Sequence, residues 1–251
     1  MAIKRLKTGI KGFDKLIEGG FTENSTVLVC GTPGTGKTIF GLEYLYNGAT
    51  KFNEHGLYIT FEQPEQALIN QASQFGWDLK KLIDKKLIKV IYIPVYELDE
   101  NIIKIVEQEI KKNKIKRLVI DSISTLAVNA PIYNQIEDIS LVDIIKKKSF
   151  FSPPIIGDLI IKRFIYLFID KLLDLDCTSI LISEASEKGD YLSRDTISEF
   201  ACDGVILINF ESMGGEFSRS LMVRKMRNTK NNEDIHPLEI GKAGLVVHDL
   251  K

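Results

Sequence analysis

The sequence predicts an α/β fold in which helices flank a mostly parallel central sheet, with an antiparallel extension toward the carboxyl terminus. Short runs rich in β-branched residues alternate with longer amphipathic stretches, a pattern typical of parallel βαβ units. The strand runs are apolar almost throughout, as in strands that are covered on both faces. After Asn209 the pattern changes to a turn signal and two further strand-like segments, which indicates antiparallel additions.

The individual elements follow from these patterns in chain order. A first strand is expected over residues 26–30, and a helix over residues 39–46 follows a glycine-rich segment. Five more apolar strands are predicted at residues 57–61, 88–93, 118–121, 178–183 and 205–210. Apolar spacing predicts crossover helices at residues 64–75 and 98–112. The antiparallel part is expected to comprise a hairpin turn at residues 212–216 and strands at residues 219–226 and 244–248.

The segment between residues 129 and 175 has an unusual composition. Residues 149–157 carry no charge and lead into a strongly apolar helix that ends near Asp174. Charged side chains such as Asp158, Lys162 and Asp170 interrupt this helix every few residues, which favours packing on the sheet over a membrane span. The uncharged loop is a candidate contact with a second subunit or a partner protein.

Composition limits the classes of protein to consider. The 251 residues suffice for one large core, and we expect a single domain over residues 1–251. The formal net charge of -1 gives no global attraction for nucleic acid or an anionic membrane, so such a partner would need a local patch. Cys30, Cys177 and Cys202 match no zinc, redox or disulfide spacing, which indicates reduced thiols in a cytoplasmic protein. No signal peptide or bilayer-spanning stretch is predicted.

A glycine-rich octapeptide follows the first strand. It fits the phosphate-loop pattern G-x-x-x-x-G-K-[ST] at every fixed position, and its residues are Gly31, Thr32, Pro33, Gly34, Thr35, Gly36, Lys37 and Thr38. Glycines let backbone N–H groups surround a phosphate, and the following helix adds the positive end of its dipole. Lys37 is expected to reach the β- and γ-phosphates, and Thr38 to bind the Mg²⁺ that bridges them. The alternative is an ordinary glycine-rich turn.

Two acidic residues at strand ends complete the candidate site. Asp121 ends the apolar strand of residues 117–121, the Walker B arrangement in which a carboxylate supports Mg²⁺. Glu62 follows another strand and is the candidate base or orienting group for the attacking water. Glu62 also precedes a predicted helix, and an acid that stabilises that helix N-terminus is the competing interpretation.

Motifs over almost the whole chain resemble the KaiC branch of the RecA-like ATPases. The opening signature is Thr8-Gly9-Ile10-Lys11-Gly12-Phe13-Asp14, continuing to Gly20. Later segments agree in order and spacing, at residues 58–62, 75–79, 119–122, 200–205 and 225–229. The resemblance is to single-domain archaeal KaiC-like proteins and implies a RecA-like fold, ATP with Mg²⁺ as ligands, and a ring, a hexamer by family likeness, with active sites at subunit interfaces.

The resemblance also implies roles for individual residues. Glu62 matches the first of two consecutive glutamates that activate water in the family, whereas the second position is Gln63, which can orient water but cannot take its proton. Lys225 and Arg227 match a basic pair that reaches the γ-phosphate of the neighbouring subunit's nucleotide. Without the resemblance, the more natural interpretation of Lys225 and Arg227 is a pair of solvated charges that protect a strand edge. Ser183 and Glu184 resemble the family's sensor position.

Two functions from different classes are compatible with the sequence. The first is an oligomeric ATPase acting on DNA, as a recombination or repair accessory, through loops at residues 129–157 and 185–198. Those loops contain the basic residues Lys146, Lys147, Lys148, Lys188 and Arg194 and the aromatic residues Phe150 and Phe151. A solvated lysine cluster beside a buried loop is the competing interpretation.

The second function is a slow nucleotide-dependent regulatory module that binds protein partners. Gln63 and the uncharged loop favour it. Autophosphorylation is not favoured. The cyanobacterial clock protein of the KaiC family phosphorylates itself on an adjacent Ser-Thr pair, whereas residues 195–200 contain Thr196 and Ser198 but no adjacent pair.

Overall fold

A computed structural model describes residues 3–99, 101–129, 153–185, 192–213 and 216–250. The strands are β1 (Arg5–Leu6), β2 (Phe21–Thr22), β3 (Thr26–Gly31), β4 (Gly56–Thr60), β5 (Ile88–Tyr92), β6 (Arg117–Asp121), β7 (Thr178–Glu184), β8 (Gly204–Met213), β9 (Glu216–Met226), β10 (His236–Gly241) and β11 (Gly244–Val247). The helices are α1 (Lys37–Lys51), α2 (Glu65–Ser73), α3 (Leu79–Asp84), α4 (Ile102–Asn113), α5 (Ile123–Val128), α6 (Pro153–Leu173) and α7 (Ser198–Ala201). Short 3₁₀ turns lie at Asp14–Ile17 and Val95–Glu97.

Within the described part, the main sheet has the strand order β11-β10-β9-β8-β3-β7-β6-β4-β5. The strands from β8 to β5 are mutually parallel, and β9, β10 and β11 add antiparallel to one side. The predicted fold class is therefore confirmed. β3 lies inside the sheet between β8 and β7, so the loop that follows it emerges at the carboxyl edge of the parallel part.

Two apolar layers cover the sheet because alternate side chains of each strand point to opposite faces. Val27 and Val29 of β3 belong to the core that contains α1, whereas Leu28 and Cys30 belong to the core that contains α6. Both layers are buried, which explains why the strand sequences lack polar alternation. In α6 the buried stripe is Phe164, Ile165, Phe168, Ile169 and Leu172.

The structure confirms the helix expected before Asp174 and its packing on the sheet, and it moves its start to Pro153. Residues 153–157 of the uncharged segment are therefore helical rather than loop. Within the described residues, no helix combines the length and the apolarity that a membrane span requires.

Sequence patterns missed several short elements. β10 pairs with β9 and β11 between the two predicted antiparallel strands, and β1 and β2 form a separate two-stranded ladder. α3 and α5 have only 6 residues each, too few for an apolar period to be recognised. β8 ends at Met213 and β9 begins at Glu216, and the turn residues Gly214 and Gly215 between them lie outside the described residues.

Candidate phosphate-binding and hydrolysis site

The glycine-rich loop joins the end of β3 to the start of α1, as its sequence predicts. Two of its glycines are required by the geometry. A Cβ atom on Gly31 would lie 2.2 Å from the Ile208 carbonyl oxygen of β8, and Gly36 has a φ of +106°, which disfavours other residues. Because of this tight turn, α1 begins at Lys37 and its amino-terminal N–H groups face the loop.

Lys37 lies over the loop that precedes it. Its Nζ atom donates hydrogen bonds to the carbonyl oxygens of Gly31 at 2.8 Å and Thr32 at 2.9 Å. Burial lowers the pKa of Lys37, and the nearby carboxylates of Asp121 and Glu184 oppose that shift. The ammonium group is thus placed at the mouth of a loop whose N–H groups can bind an anion.

Asp121 lies at the end of β6, and its carboxylate faces the first turn of α1. Thr38 Oγ1 donates a hydrogen bond of 2.9 Å to Asp121 Oδ2, and the Tyr58 hydroxyl donates one of 2.7 Å to the same oxygen. Burial raises the pKa of Asp121, whereas the hydrogen bonds from Tyr58 and Thr38 oppose the rise. The structure therefore brings together Thr38 and Asp121, the two residues predicted to serve a metal ion.

Tyr58 was not singled out as a site residue from the sequence. It is fully buried in β4, and burial together with the Asp121 carboxylate raises the pKa of its phenol well above the usual value. The phenol therefore stays protonated and remains a donor to Asp121. An aromatic residue within an apolar strand carries no local signal for this role, because the contact depends on the pairing of β4 with β6.

Glu62 follows β4 at the same edge of the sheet, because Thr60 of β4 is paired with Asp121 of β6. One oxygen of its carboxylate accepts hydrogen bonds from Thr125 Oγ1 at 2.5 Å and Ser122 Oγ at 3.3 Å. Ser122 caps α5 by accepting the backbone N–H of Thr125 at 3.1 Å. Glu62 is thus bound to the start of α5, across the sheet edge, and not to the helix α2 that follows it in sequence.

Lys225 and Arg227 lie at the opposite edge of the sheet. Lys225 is paired with Val205 at the beginning of β8, and β8 runs parallel to β3. The strand segment between that point and the phosphate loop is about four residues long, or about 13 Å at the usual rise per residue. The structure therefore does not bring this basic pair to the phosphate loop of its own chain.

Both basic side chains make contacts within the chain. Lys225 Nζ donates to the carbonyl oxygens of Glu199 at 3.1 Å, Phe200 at 3.2 Å and Cys202 at 2.6 Å, around the end of α7. Burial lowers the pKa of Lys225, and the positive charge of the neighbouring Arg227 lowers it further. Arg227 Nη1 lies 3.2 Å from Asp203 Oδ1, and about half of the Arg227 side chain is exposed.

The other sequence hypotheses have mixed outcomes in the structure. Ser183 Oγ contacts Ser124 Oγ at 3.2 Å, and the backbone N–H of Glu184 donates to the same Ser124 oxygen at 2.9 Å. The carboxylate of Glu184 forms an ion pair with Arg194. Ser198 is fully buried, and its hydroxyl donates to Asp195 at 2.8 Å. Most of the predicted DNA-binding loops lie outside the described residues, including Lys146, Lys147, Lys148, Lys188, Phe150 and Phe151.

Arg219 of β9 is a neighbour of the phosphate loop that sequence reasoning missed. Its Nη2 atom donates to the Gly34 carbonyl oxygen at 3.3 Å, and its guanidinium lies 4.9 Å from the ring centroid of Phe210. Phe210 and Arg219 face each other where the β8–β9 ladder extends beyond the end of β3. The pairing of strands, rather than any local motif, places Arg219 there.

The fold and the loop together define the class of P-loop nucleotide-binding proteins. A parallel sheet has a glycine-rich loop at the carboxyl end of an inner strand, and that loop leads directly into a helix. A family model described as "ATPase: KaiC" matches residues 6–149 and 157–251. The chain therefore belongs to the KaiC family of ATPases, which are nucleotide-dependent enzymes of the KaiC/RecA type.

Individual relatives agree with this assignment. A UPF0273 protein of Pyrococcus horikoshii is 31% identical over 263 residues, which cover 98% of this chain and 94% of that protein. The circadian clock oscillator protein KaiC of Prochlorococcus marinus is 30% identical over 260 residues, and the chain spans 46% of its length. The crystal structure of a KaiC-like protein from Pyrococcus horikoshii superposes with a TM-score of 0.81 at 33% identity, covering 99% of this chain and all of that one. The resemblance to archaeal KaiC-like proteins is confirmed.

Proposed function

We propose that residues 1–251 act as a single ATPase domain that binds ATP with Mg²⁺ and hydrolyses it. The observation that carries the proposal is the convergence of Lys37, Thr38, Asp121 and Glu62 at one edge of the sheet. Backbone N–H groups between Gly31 and Thr38 would hold the phosphates, and Lys37 would neutralise charge on the β- and γ-phosphates. This arrangement suits phosphoryl transfer, in which positioning and charge stabilisation supply most of the catalysis.

The donor atoms at Thr38 and Asp121 fit a magnesium ion. Both are hard oxygen donors, and they lie 2.9 Å apart, close enough to serve one ion directly or through its waters. When bound, Mg²⁺ would offset the negative charge of the phosphates. Tyr58 would orient the Asp121 carboxylate toward that position by its hydrogen bond.

Glu62 is the group we propose to orient the attacking water and accept its proton. Its carboxylate has one oxygen bound to Thr125 and Ser122, which fixes its direction and leaves the other oxygen for water. Gln63 stands where the family resemblance has a second glutamate. An amide cannot accept the proton at neutral pH, and we therefore propose slow turnover.

Lys225 and Arg227 are proposed to act on the nucleotide of a neighbouring subunit. Their position at the far edge of the sheet prevents them from reaching their own phosphate loop, and a head-to-tail contact would bring the two edges together. Head-to-tail contacts form a ring where the rotation between subunits closes, and we propose a hexamer on family likeness. Reaching a neighbour's γ-phosphate would require these residues to exchange their present partners, the α7 carbonyls and Asp203.

Two substitutions test this function. Lys37→Ala should abolish ATP turnover because it removes the cation at the phosphate loop. Arg227→Ala should lower turnover by about a thousandfold while nucleotide affinity changes little. The reason is that the Arg227 guanidinium, which we call the trans finger, would stabilise charge only in the transition state. Steady-state phosphate release and titration with a fluorescent ATP analogue measure the two quantities. Normal turnover by Arg227→Ala would remove the trans assignment, and normal turnover by Lys37→Ala would remove the proposed site.

What the ATPase acts on is a separate question. We propose that the protein is a slow regulatory module that binds other proteins according to its bound nucleotide. Gln63, which favours slow turnover, agrees with that function. Separately, Cys30, Cys177 and Cys202 are free and buried, and reduced thiols suit the cytoplasmic location that we propose. Action on DNA is the other candidate, but the described Arg194 of its proposed contacts already pairs with Glu184. A DNA titration in ATP at several salt concentrations distinguishes them, since phosphate contacts produce a steep loss of affinity with salt.

A further inference from the structure

Arg5 of the short strand β1 is bound to the loop that carries Arg227, although more than 200 positions separate them. Its Nη1 atom donates to Thr229 Oγ1 at 2.9 Å, and its Nη2 atom donates to the Asn228 carbonyl oxygen at 3.2 Å. No motif in the sequence singles out Arg5. The contact forms because β1 and β2 place the amino-terminal segment beside the end of β9.

The same guanidinium is anchored on its other side by the segment after β1. Nη1 lies 3.3 Å from the Ile17 carbonyl oxygen and 3.2 Å from that of Gly20, and Nη2 lies 2.5 Å from Glu18 Oε2. Only 16% of the Arg5 side chain is exposed. Nη1 has two N–H groups for three acceptors, so at least one N–H is shared, and the planar guanidinium joins the Arg227 loop to the segment between β1 and β2.

The contact continues from Thr229 to Arg227. Thr229 Oγ1 donates to the Arg227 carbonyl oxygen at 3.2 Å, and the residue between them, Asn228, has a left-handed φ of 55°. The backbone N–H of Arg227 donates to the Asp203 carbonyl oxygen at 2.8 Å. The backbone of Arg227 is therefore held from two sides, by Asp203 directly and by Arg5 through Thr229.

We propose that Arg5 is a positioning residue for the Arg227 finger and thus acts on the nucleotide site of the neighbouring subunit. This inference rests on the proposed trans action of Arg227. Arg5 itself contacts no nucleotide in this arrangement. It fixes the turn at Asn228, so that Arg227 leaves the backbone in one direction and pays little conformational entropy when it binds the developing charge.

Three variants with one control measure this effect. Arg5→Ala removes all five hydrogen bonds, Arg5→Lys keeps the charge but not the fork, and Thr229→Ala removes only the link to Arg227. Lys4→Ala is the matched control, because Lys4 is next in sequence but exposed, 3.8 Å from Glu23. We expect Arg5→Ala and Arg5→Lys to lower kcat about 10- to 100-fold, the cost of a misplaced catalytic group, and Thr229→Ala to lower it less.

Nucleotide affinity separates positioning from general damage. Each Arg5 and Thr229 variant should bind the fluorescent ATP analogue with a Kd within about twofold of the parent, because its own phosphate loop is intact. Circular dichroism melts identify the temperature at which all variants are folded. Wild-type kcat in both Arg5→Ala and Thr229→Ala, or a kcat loss equalled by Lys4→Ala, would overturn the inference.

Mixed oligomers show in which subunit Arg5 acts. A Lys37→Ala chain has an inactive phosphate loop but intact Arg5 and Arg227. An Arg5→Ala chain has an intact phosphate loop and Arg227 but lacks the contact that positions Arg227. Two-tag co-purified mixtures of these chains should turn over ATP several-fold faster than either alone. If a mixture of Lys37→Ala with Arg227→Ala gains activity and the Arg5→Ala mixture does not, Arg5 does not act with the finger. If neither mixture gains activity, the trans finger itself is wrong, and the role of Arg5 is overturned with it.

Discussion

Hydroxyl groups at the start of α5 determine where the carboxylate of Glu62 points. Thr125 provides the shorter bond, at 2.5 Å, and Ser122 the longer one, at 3.3 Å. Glu62 itself is exposed and lies on the segment between β4 and α2. Without the two hydroxyls, its side chain would sample several rotamers and would rarely face the attacking water.

Thr125→Val should lower kcat about tenfold without changing nucleotide affinity, because it removes the donor and keeps the shape of the side chain. Thr125→Ser retains the hydroxyl and serves as the matched control, with kcat near that of the parent. Single-turnover hydrolysis and equilibrium nucleotide titration provide the two measurements. In a Glu62→Gln background, Thr125→Val should add little further loss, and a full additional tenfold drop there would contradict a role through Glu62.

Arg117 shows how a charged residue can be part of the core. Its side chain is fully buried at the start of β6, pairs with Glu54 at 2.5 Å, and donates to the carbonyl oxygens of Tyr44 and Lys7. It also packs on the Tyr44 and Phe52 rings. Each of its three guanidinium nitrogens has an acceptor, which offsets the cost of burying the cation.

Arg117→Ala should lower the free energy of unfolding by about 3–5 kcal/mol, because it leaves a cavity and unpaired acceptors in the core. Urea denaturation followed by circular dichroism provides the measurement. Lys116→Ala is the neighbouring control, since Lys116 is half exposed and pairs with an exposed Asp176. A loss for Arg117→Ala no larger than that for Lys116→Ala would show that the buried network contributes little.

At the scale of elements, α1 links the phosphate loop to the carboxyl-terminal hairpin of β10 and β11. Glu43 of α1 is buried and accepts the backbone N–H of Leu245 at 2.7 Å. Burial raises the pKa of Glu43 to about 7, against the lowering effects of that hydrogen bond, Lys51 and Asn47. The hairpin thus packs against a carboxyl group that is easier to bury when protonated.

The sign of the pH effect follows from this raised pKa. Between the usual pKa of 4.5 and the raised pKa of about 7, the folded protein binds more protons at Glu43 than the unfolded chain does. The contribution of Glu43 to the free energy of unfolding is therefore fully present below about pH 4.5 and is lost as pH rises through about 7. The loss is on the order of 3 kcal/mol. Glu43→Gln should therefore flatten the fall in Tm between pH 5 and pH 8. Glu23→Gln, at an exposed carboxylate, should leave the slope unchanged, and an unchanged slope in Glu43→Gln would contradict the assignment.

At the scale of the whole molecule, the two halves of the proposed active site lie at opposite edges of the sheet. The phosphate loop follows the carboxyl end of β3, whereas Lys225 and Arg227 lie beside the amino end of β8. If Lys225 and Arg227 act on the phosphates as proposed, a second chain is needed to complete the site, which agrees with the proposed ring.

Turnover per chain should therefore rise with protein concentration and reach a plateau where the oligomer is fully assembled. Below the assembly concentration we expect at least a tenfold lower rate, since the finger is missing. Phosphate release measured beside sedimentation velocity at the same dilutions tests this. A constant rate per chain down to concentrations at which only monomer sediments would contradict a shared site.

Local sequence was sufficient for the features that depend on neighbouring residues. The octapeptide from Gly31 to Thr38, the acid at Asp121 and the apolar strands all lie where their patterns predict. The same patterns favoured two interpretations of Glu62, and only strand pairing placed its side chain against Thr125. α5 was missed because its 6 residues are too few to show a helical period. β10 was missed because its sequence, HPLEIG, contains a proline and no apolar run.

The sequence by itself determined the fold class, the phosphate loop and the KaiC resemblance, because hydrophobic periodicity and turn chemistry act over a few residues. The tertiary structure decided which side chains meet across the fold: Tyr58 with Asp121, Glu62 with Thr125, and Arg5 with the Arg227 loop. It also decided that Lys225 and Arg227 are far from their own phosphate loop. These contacts depend on strand order and register, which are set by the packing of the whole chain, and no local pattern encodes them.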